Sequence, residues 1–147
     1  MTFEEFLACA RRMTYAIPTG TLLDDGTSHM AYDDGPWRYR DRYAGLNPYG
    51  GQEIVWHDGR PVWIKNYVAE ILYEPVPAAE IHAFQRRALG QPDPERLMRG
   101  PPRVTDGRYV YSTDIKGYID RFEGSETITY DSVPVYRMIL HGGRLGA

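Results

Sequence analysis

A single cysteine, Cys9, is all the thiol the chain carries. It leaves no partner for an internal disulfide and no multi-cysteine zinc site, so a reducing compartment, the cytoplasm, is expected. Basic charge is also scarce. A net charge of −3 lacks the clustered lysine and arginine that phosphate neutralisation needs, so no nucleic-acid partner is expected. No apolar run approaches the roughly 20 residues that cross a bilayer, and no membrane partner is expected. Residues 1–10 contain Glu4 and Glu5 and lack a basic stretch followed by an apolar one, so they do not read as a signal peptide. The four histidines, His29, His57, His82 and His141, are scattered without the short spacing of a metal pair. With no nucleophile-elbow serine and no glycine-rich phosphate loop, neither a metal nor a cofactor is expected.

What the chain has instead is tyrosine and tryptophan, 12 and 3 against only 4 phenylalanines. Rings with a polar tip suit half-buried sheet faces and ligand-lined clefts. At 147 residues one core is expected, and 1–147 reads as a single domain. Within it the chain resembles itself. Residues 32–45 lie without gaps over 111–124, residues 52–56 over 126–130, and Pro61-Val62-Trp63 over Pro134-Val135-Tyr136. Upstream of each set an apolar-periodic stretch, 3–13 and 78–89, reads as an amphipathic helix.

The expectation is therefore α+β, with two tandem repeats, 1–74 and 75–147, of a helix followed by an antiparallel meander. Together they would form a curved antiparallel sheet packed by the helices. The predicted strands are 29–33, 37–44, 53–57 and 62–72, then 109–113, 118–123, 127–130 and 135–141. Asp34-Gly35 and Asp58-Gly59 supply hairpin turns. Residues 90–103, rich in proline, read as a long ordered loop.

Alternation along 37–43 places Trp37, Tyr39, Asp41 and Tyr43 on one face and Arg38, Arg40 and Arg42 on the other. The aromatic face is the one to bury. In the aligned copy Asp120 would take the place of Asp41, between Tyr118 and Phe122. A carboxylate half-buried among rings must be paired, be hydrogen-bonded or carry a raised pKa, and only the last points to catalysis. The arginine stripe reads as an exposed sheet face or an anion dock. Lys65 is expected to pass the aromatics and reach solvent, the alternative being a catalytic amine if it is desolvated, and Cys9 to serve as a small hydrophobe. His141 ends the last predicted strand before Gly142-Gly143, where backbone could approach a ligand.

Thr14-Tyr15-Ala16 after the first helix, Gly51-Gln52-Glu53-Ile54-Val55-Trp56, Pro61-Val62-Trp63 with Asn66-Tyr67, and Val135-Tyr136 before His141-Gly142-Gly143 form a recurrent pattern. It resembles a bacterial domain of unknown function, DUF5680, sometimes fused to helix-turn-helix regulators. The resemblance implies a fold and no activity. From the residues, the expected function is binding of an unknown small organic ligand in an aromatic cleft of the sheet, as a receptor or as a small enzyme. Asp41, Asp120, Glu53 and His141 are the proton-transfer candidates, and Tyr39, Trp56, Trp63, Tyr67, Tyr118 and Tyr136 the ligand-binding ones. The alternative is a protein-interaction or regulatory module without catalysis, with a homodimer as one form.

Overall fold

The computed structural model describes residues 1–15, 20–90 and 97–146. Its element order is α1 (Phe3–Tyr15), β1 (Thr21–Leu22), β2 (Ser28–Asp34), β3 (Trp37–Gly45), β4 (Tyr49–His57), β5 (Arg60–Ile71), α2 (Ala78–Leu89), β6 (Arg103–Asp106), β7 (Tyr109–Tyr118), β8 (Arg121–Tyr130) and β9 (Val133–Arg144). The strands form one antiparallel sheet in the order β1-β2-β3-β4-β5-β9-β8-β7-β6. Its centre is the pairing of β5 with β9.

Helix α1 starts on a capping box: the Glu5 amide donates to Thr2 Oγ1 at 3.2 Å and the Thr2 amide to a Glu5 carboxylate oxygen at 2.7 Å. Phe3, Phe6, Leu7, Ala10 and Thr14, at helical spacing, form its buried stripe. Phe6 stacks on Trp37 of β3 with centroids 5.5 Å apart. On α2 the buried stripe is Ile81, Phe84, Gln85 and Ala88, and Phe84 stacks on Tyr109 of β7 at 4.8 Å. Each fully buried Phe or Leu contributes roughly 1.5–3 kcal/mol, so these stripes hold the helices to the sheet.

The inner face carries Tyr39, Val55, Trp63, Tyr111, Ile128 and Tyr136, all fully buried. Arg38, Val68 and Ile139 point the other way, and Val68 and Ile139 are 60% and 53% exposed. Only one face is thus covered by helices.

Two hairpin geometries occur in the same order in each half. Gly35 and Gly107 have φ of 56° and 59° as the first residue of their two-residue turns, the II′ arrangement. Asp58-Gly59 and Asp131-Ser132 have positive φ at both positions, the I′ arrangement. A register shift falls between Val55 and Trp56 in one half and between Ile128 and Thr129 in the other. Counted from these marks, Tyr39 corresponds to Tyr111, Glu53 to Glu126, Trp63 to Tyr136 and Asp41 to Thr113.

This register differs from the one expected. Residues 32–45 turn at 35–36, whereas 111–124 turn at 119–120, so the two stretches do not superimpose. Tyr39 is fully buried and Tyr118 is 82% exposed. The cause is that β7 continues through 114–117 and β8 through 124–126, stretches left between the predicted strands. Gly124 sits in mid-strand because a Cβ there would lie 2.2 Å from the Asp114 carbonyl oxygen. Of the expected loop over 90–103, residues 91–96 lie outside the described residues, and Arg103 already begins β6.

Candidate functional site

On the helix-covered face, a cleft of about 420 Å³ opens between the end of α1, α2 and the sheet. β2 contributes Met30, β3 Asp41 and Tyr43, β4 Tyr49, β5 Tyr67 and β9 Met138. α1 adds Tyr15, α2 adds Ala79, His82, Gln85 and Arg86, and Arg99 reaches in from the segment after α2.

Beneath this lining lies a row of ionisable residues. Asp41, Glu53 and Lys65 are direct cross-strand partners on β3, β4 and β5, all facing the helices. Glu53 is ion-paired with Arg11 of α1, whose Nε and Nη2 donate to it at 3.3 Å each. It is also ion-paired with Lys65 and accepts the Tyr39 hydroxyl. Burial alone would raise its pKa, but the Arg11 and Lys65 charges outweigh burial and hold it well below the usual carboxylate range. A carboxylate so held is a structural anion.

The second half buries Glu126 in the corresponding place. Arg99 Nε and Nη2 donate to it at 2.7 and 3.3 Å, Gln85 and the Tyr136 hydroxyl at 3.0 Å each, and Tyr111 donates as well. Burial opposes ionisation here too, and Arg99 again overcomes it to lower the pKa. Arg99 also donates to the Tyr15 hydroxyl at 3.1 Å, which ties the end of α1 to this cluster.

Asp41 is different. Its Oδ1 accepts the Tyr67 hydroxyl at 2.7 Å, but no ion pair reaches it among the described residues. Burial, then the nearby Glu53 charge, push its pKa up to about 6. In turn, burial and the Asp41 carboxylate raise the Tyr67 phenol, so Tyr67 stays a donor. The cleft thus contains a nearly buried carboxylate poised to gain or lose a proton near neutrality.

A family model described as a domain of unknown function (DUF5680) matches residues 41–145. The chain belongs to the DUF5680 family. No curated protein and no solved structure matches it. The DUF5680 match runs from Asp41 through β9, so it spans Glu53, Lys65, Tyr67, Arg99 and Glu126, while Arg11 and Tyr15 of α1 precede it.

Of the residues expected from sequence to act in proton transfer, the DUF5680 fold brings only Asp41 to the cleft. Glu53 is locked behind it. Asp120 is not on an apolar face: it sits in the β7–β8 turn, 73% exposed, with its Oδ1 3.1 Å from Arg144 Nε. His141 is exposed on β9 and lines, with Asp120, a separate depression of about 610 Å³ near the β7–β8 turn. That depression is larger, but its ionisable groups are exposed and therefore screened.

Among the expected ligand-binding residues, Tyr67 lines the cleft. Tyr136 lies just behind it, donating to Glu126. Tyr39 and Trp63 are core side chains; Trp63 stacks on Phe122 at 5.9 Å and its indole N–H donates to the Ile119 carbonyl at 3.0 Å. Trp56 alternates with the buried Val55 and so belongs to the uncovered face. Tyr118 points to water because the hairpin turns directly after it.

Lys65 does not reach solvent. It is fully buried, and its ammonium makes no well-directed hydrogen bond among the described residues; burial pulls its pKa down to about 7 against the opposing pull of Glu53. Cys9 is half-buried, its Sγ 3.3 Å from the Tyr32 hydroxyl.

Sequence reasoning put Tyr43 on the inward face without giving it a role and missed Arg99, Gln85, His82 and Tyr49, because which side chains of α2, of the segment after it and of β4 meet at one cleft is set by tertiary packing. Glu126 was missed as well, because laying 52–56 over 126–130 sets Gln52 and not Glu53 opposite it; the signal that finds it is the match of Asp34-Gly35-Pro36-Trp37-Arg38-Tyr39 with Asp106-Gly107-Arg108-Tyr109-Val110-Tyr111, each followed by a buried glutamate on the next strand. Among the described residues no group of three or more His, Cys, Asp or Glu side chains could hold a metal. No helix among them is long and apolar enough to cross a membrane.

Proposed function

We propose that this domain binds a small organic molecule in the cleft between its two helices and the sheet. What carries the reading is Asp41: an almost buried carboxylate without an ion-pair partner among the described residues, at the wall of a cleft of about 420 Å³ lined mostly by tyrosines and aliphatic side chains. Burying an uncompensated carboxylate costs stability, and such costs concentrate at functional sites. Any proton transfer would fall to Asp41, with the Tyr67 hydroxyl as its fixed hydrogen-bond donor.

We further infer that the domain arose by duplication of a helix-plus-four-strand unit. The matched turns and register shifts support this. The groups in the first half without a counterpart in the second would then be those added for function.

The test is a thermal-shift screen of metabolites on the full chain beside Ala79→Trp. Ala79 is exposed at the cleft rim, so the indole should obstruct the cleft without disturbing the core. Ligands that stabilise the wild type by several degrees should lose their effect in the variant. Equal stabilisation of both proteins would place binding elsewhere.

A second reading rests on the uncovered face, where Val68 and Ile139 lie opposite each other across β5 and β9 and both are exposed. It is a protein-binding face, a second copy of the chain included. Concentration-dependent light scattering that Val68→Lys abolishes would support it.

A further inference from the structure

This inference rests on the cleft reading and assigns the chemistry of what the cleft holds. The described residues bury three carboxylates, Asp41, Glu53 and Glu126, on the inner face. Two have their own guanidinium partner: Glu53 has Arg11 and Glu126 has Arg99. Asp41 has none among the described residues, and it is the one of the three that lines the cleft. Its Oδ1 is engaged by Tyr67, and no donor among the described residues satisfies Oδ2. The same cleft is lined by Tyr15, Tyr43, Tyr49 and Tyr67, with Tyr49 edge-on to Tyr67 at 6.4 Å. Arg99 already lies over the Tyr15 ring and Lys65 over the Tyr67 ring, each at 5.7 Å, whereas the rings of Tyr43 and Tyr49 face no cation among the described residues.

A ring presents a negative face, and the Tyr43 and Tyr49 rings, sharing a cleft with a carboxylate, form a surface that favours a weakly hydrated positive charge over water or an anion. Arg99 does not reverse this, since its charge is matched by Glu126, and Lys65, in the same cross-strand row, is ion-paired with Glu53 and not with Asp41. Arg86, the other cation of the lining, is exposed at the rim. Where the fold satisfies two buried carboxylates internally and leaves the third open to a cleft, the missing counter-charge is one the ligand can bring.

We propose that the cleft takes an organic cation, a substituted ammonium or protonated nitrogen base on an apolar or aromatic body. Its positive centre lies against the free oxygen of Asp41, on the side of the Tyr43 and Tyr49 rings. The body lies along the aliphatic floor that Met30 and Met138 provide.

The experiment compares three probes with one body and different charge: 2-phenylethylammonium, 2-phenylethanol and phenylacetate. Each is titrated into the full ¹⁵N-labelled chain at pH 7.5 and followed by amide shifts. The ammonium is expected to bind at least tenfold more tightly than the alcohol, with the largest shifts around Asp41, Tyr49 and Tyr67, and phenylacetate more weakly still. Asp41→Asn, which keeps the shape and an acceptor for Tyr67, should remove the preference for the ammonium, so that the ammonium and the alcohol bind within about twofold of each other. The wild-type ranking decides the matter even if that variant folds poorly. Tighter or equal binding of the alcohol or of phenylacetate overturns the cation assignment while leaving the cleft reading in place. If none of the three binds at millimolar concentration the cation assignment also falls, and the cleft reading then stands or falls on the Ala79→Trp comparison.

Discussion

Each half of the sheet buries one glutamate against an arginine, Glu53 with Arg11 and Glu126 with Arg99, and beyond that the halves part company. In the second half the strands beside Glu126 offer Thr113 and Met138 at the cross-strand positions, and the cluster is closed: Arg99, Gln85 and the hydroxyls of Tyr111 and Tyr136 satisfy the carboxylate, and no charge is left over. In the first half the corresponding positions beside Glu53 are Asp41 and Lys65. Those two add a carboxylate with no ion-pair partner and an ammonium with no well-directed hydrogen bond among the described residues. Since the second half holds its strands together without them, the fold does not require them. Buried ionisable groups that a scaffold can do without are where function is to be sought.

The comparison breaks most sharply at the shared glutamates. Glu126→Gln leaves Arg99 buried without its counter-charge, and Glu53→Gln does the same to Arg11. Each should lose about 3–5 kcal/mol in chemical denaturation. A loss below about 1 kcal/mol in either would mean that the clusters are not the supports argued here.

Next comes Asp41, where the sign reverses. Its pKa in the fold, about 6, lies above the ordinary 3.8, so the folded state holds the proton more tightly than the unfolded chain does. Its contribution is therefore most favourable below about pH 4 and is lost as pH rises through 6. Above that the ionised carboxylate weighs against the fold. Asp41→Asn should accordingly be more stable than wild type at pH 8, by about 2–3 kcal/mol, with the difference gone near pH 4. Denaturation at both pH values checks this, and a destabilised variant at pH 8 would mean that Asp41 is paired after all.

Lys65→Met places in the first half the residue that the second half already carries at that position. Since Glu53 keeps Arg11, stability should remain within about 1 kcal/mol of wild type. A loss well beyond that would move Lys65 from the unrepeated groups to the supports. The smallest effects belong to the arginine stripe, where Arg38 and Arg40 meet Asp33, and Arg42 meets Asp25, in exposed ion pairs. Alanine at each should cost less than about 0.5 kcal/mol, measured at moderate salt.

Much of this was legible before any coordinates. The helix over 78–89 and the inward set Tyr39 and Asp41 followed from periodicity, which reports directly on which side chains leave water. The second half was harder to segment. The glycine-bearing stretches 114–117 and 124–126 fell between predicted strands, yet both lie within strands, and the real turn at 119–120 contains no glycine. Glycine marks either a bend or a close backbone approach, and sequence does not distinguish them. The same error in register carried Asp120 and Tyr118 into an interior that they do not occupy.

What the sequence determined by itself is the alternation that makes one sheet face aromatic and the two amphipathic stripes that cover it. Both are properties of neighbours a few residues apart. Only the tertiary structure decided which buried carboxylates have partners. Arg11 meets Glu53 across 42 positions and Arg99 meets Glu126 across 27. A charge's fate depends on what lies within a few ångströms after folding, and no local pattern encodes that distance.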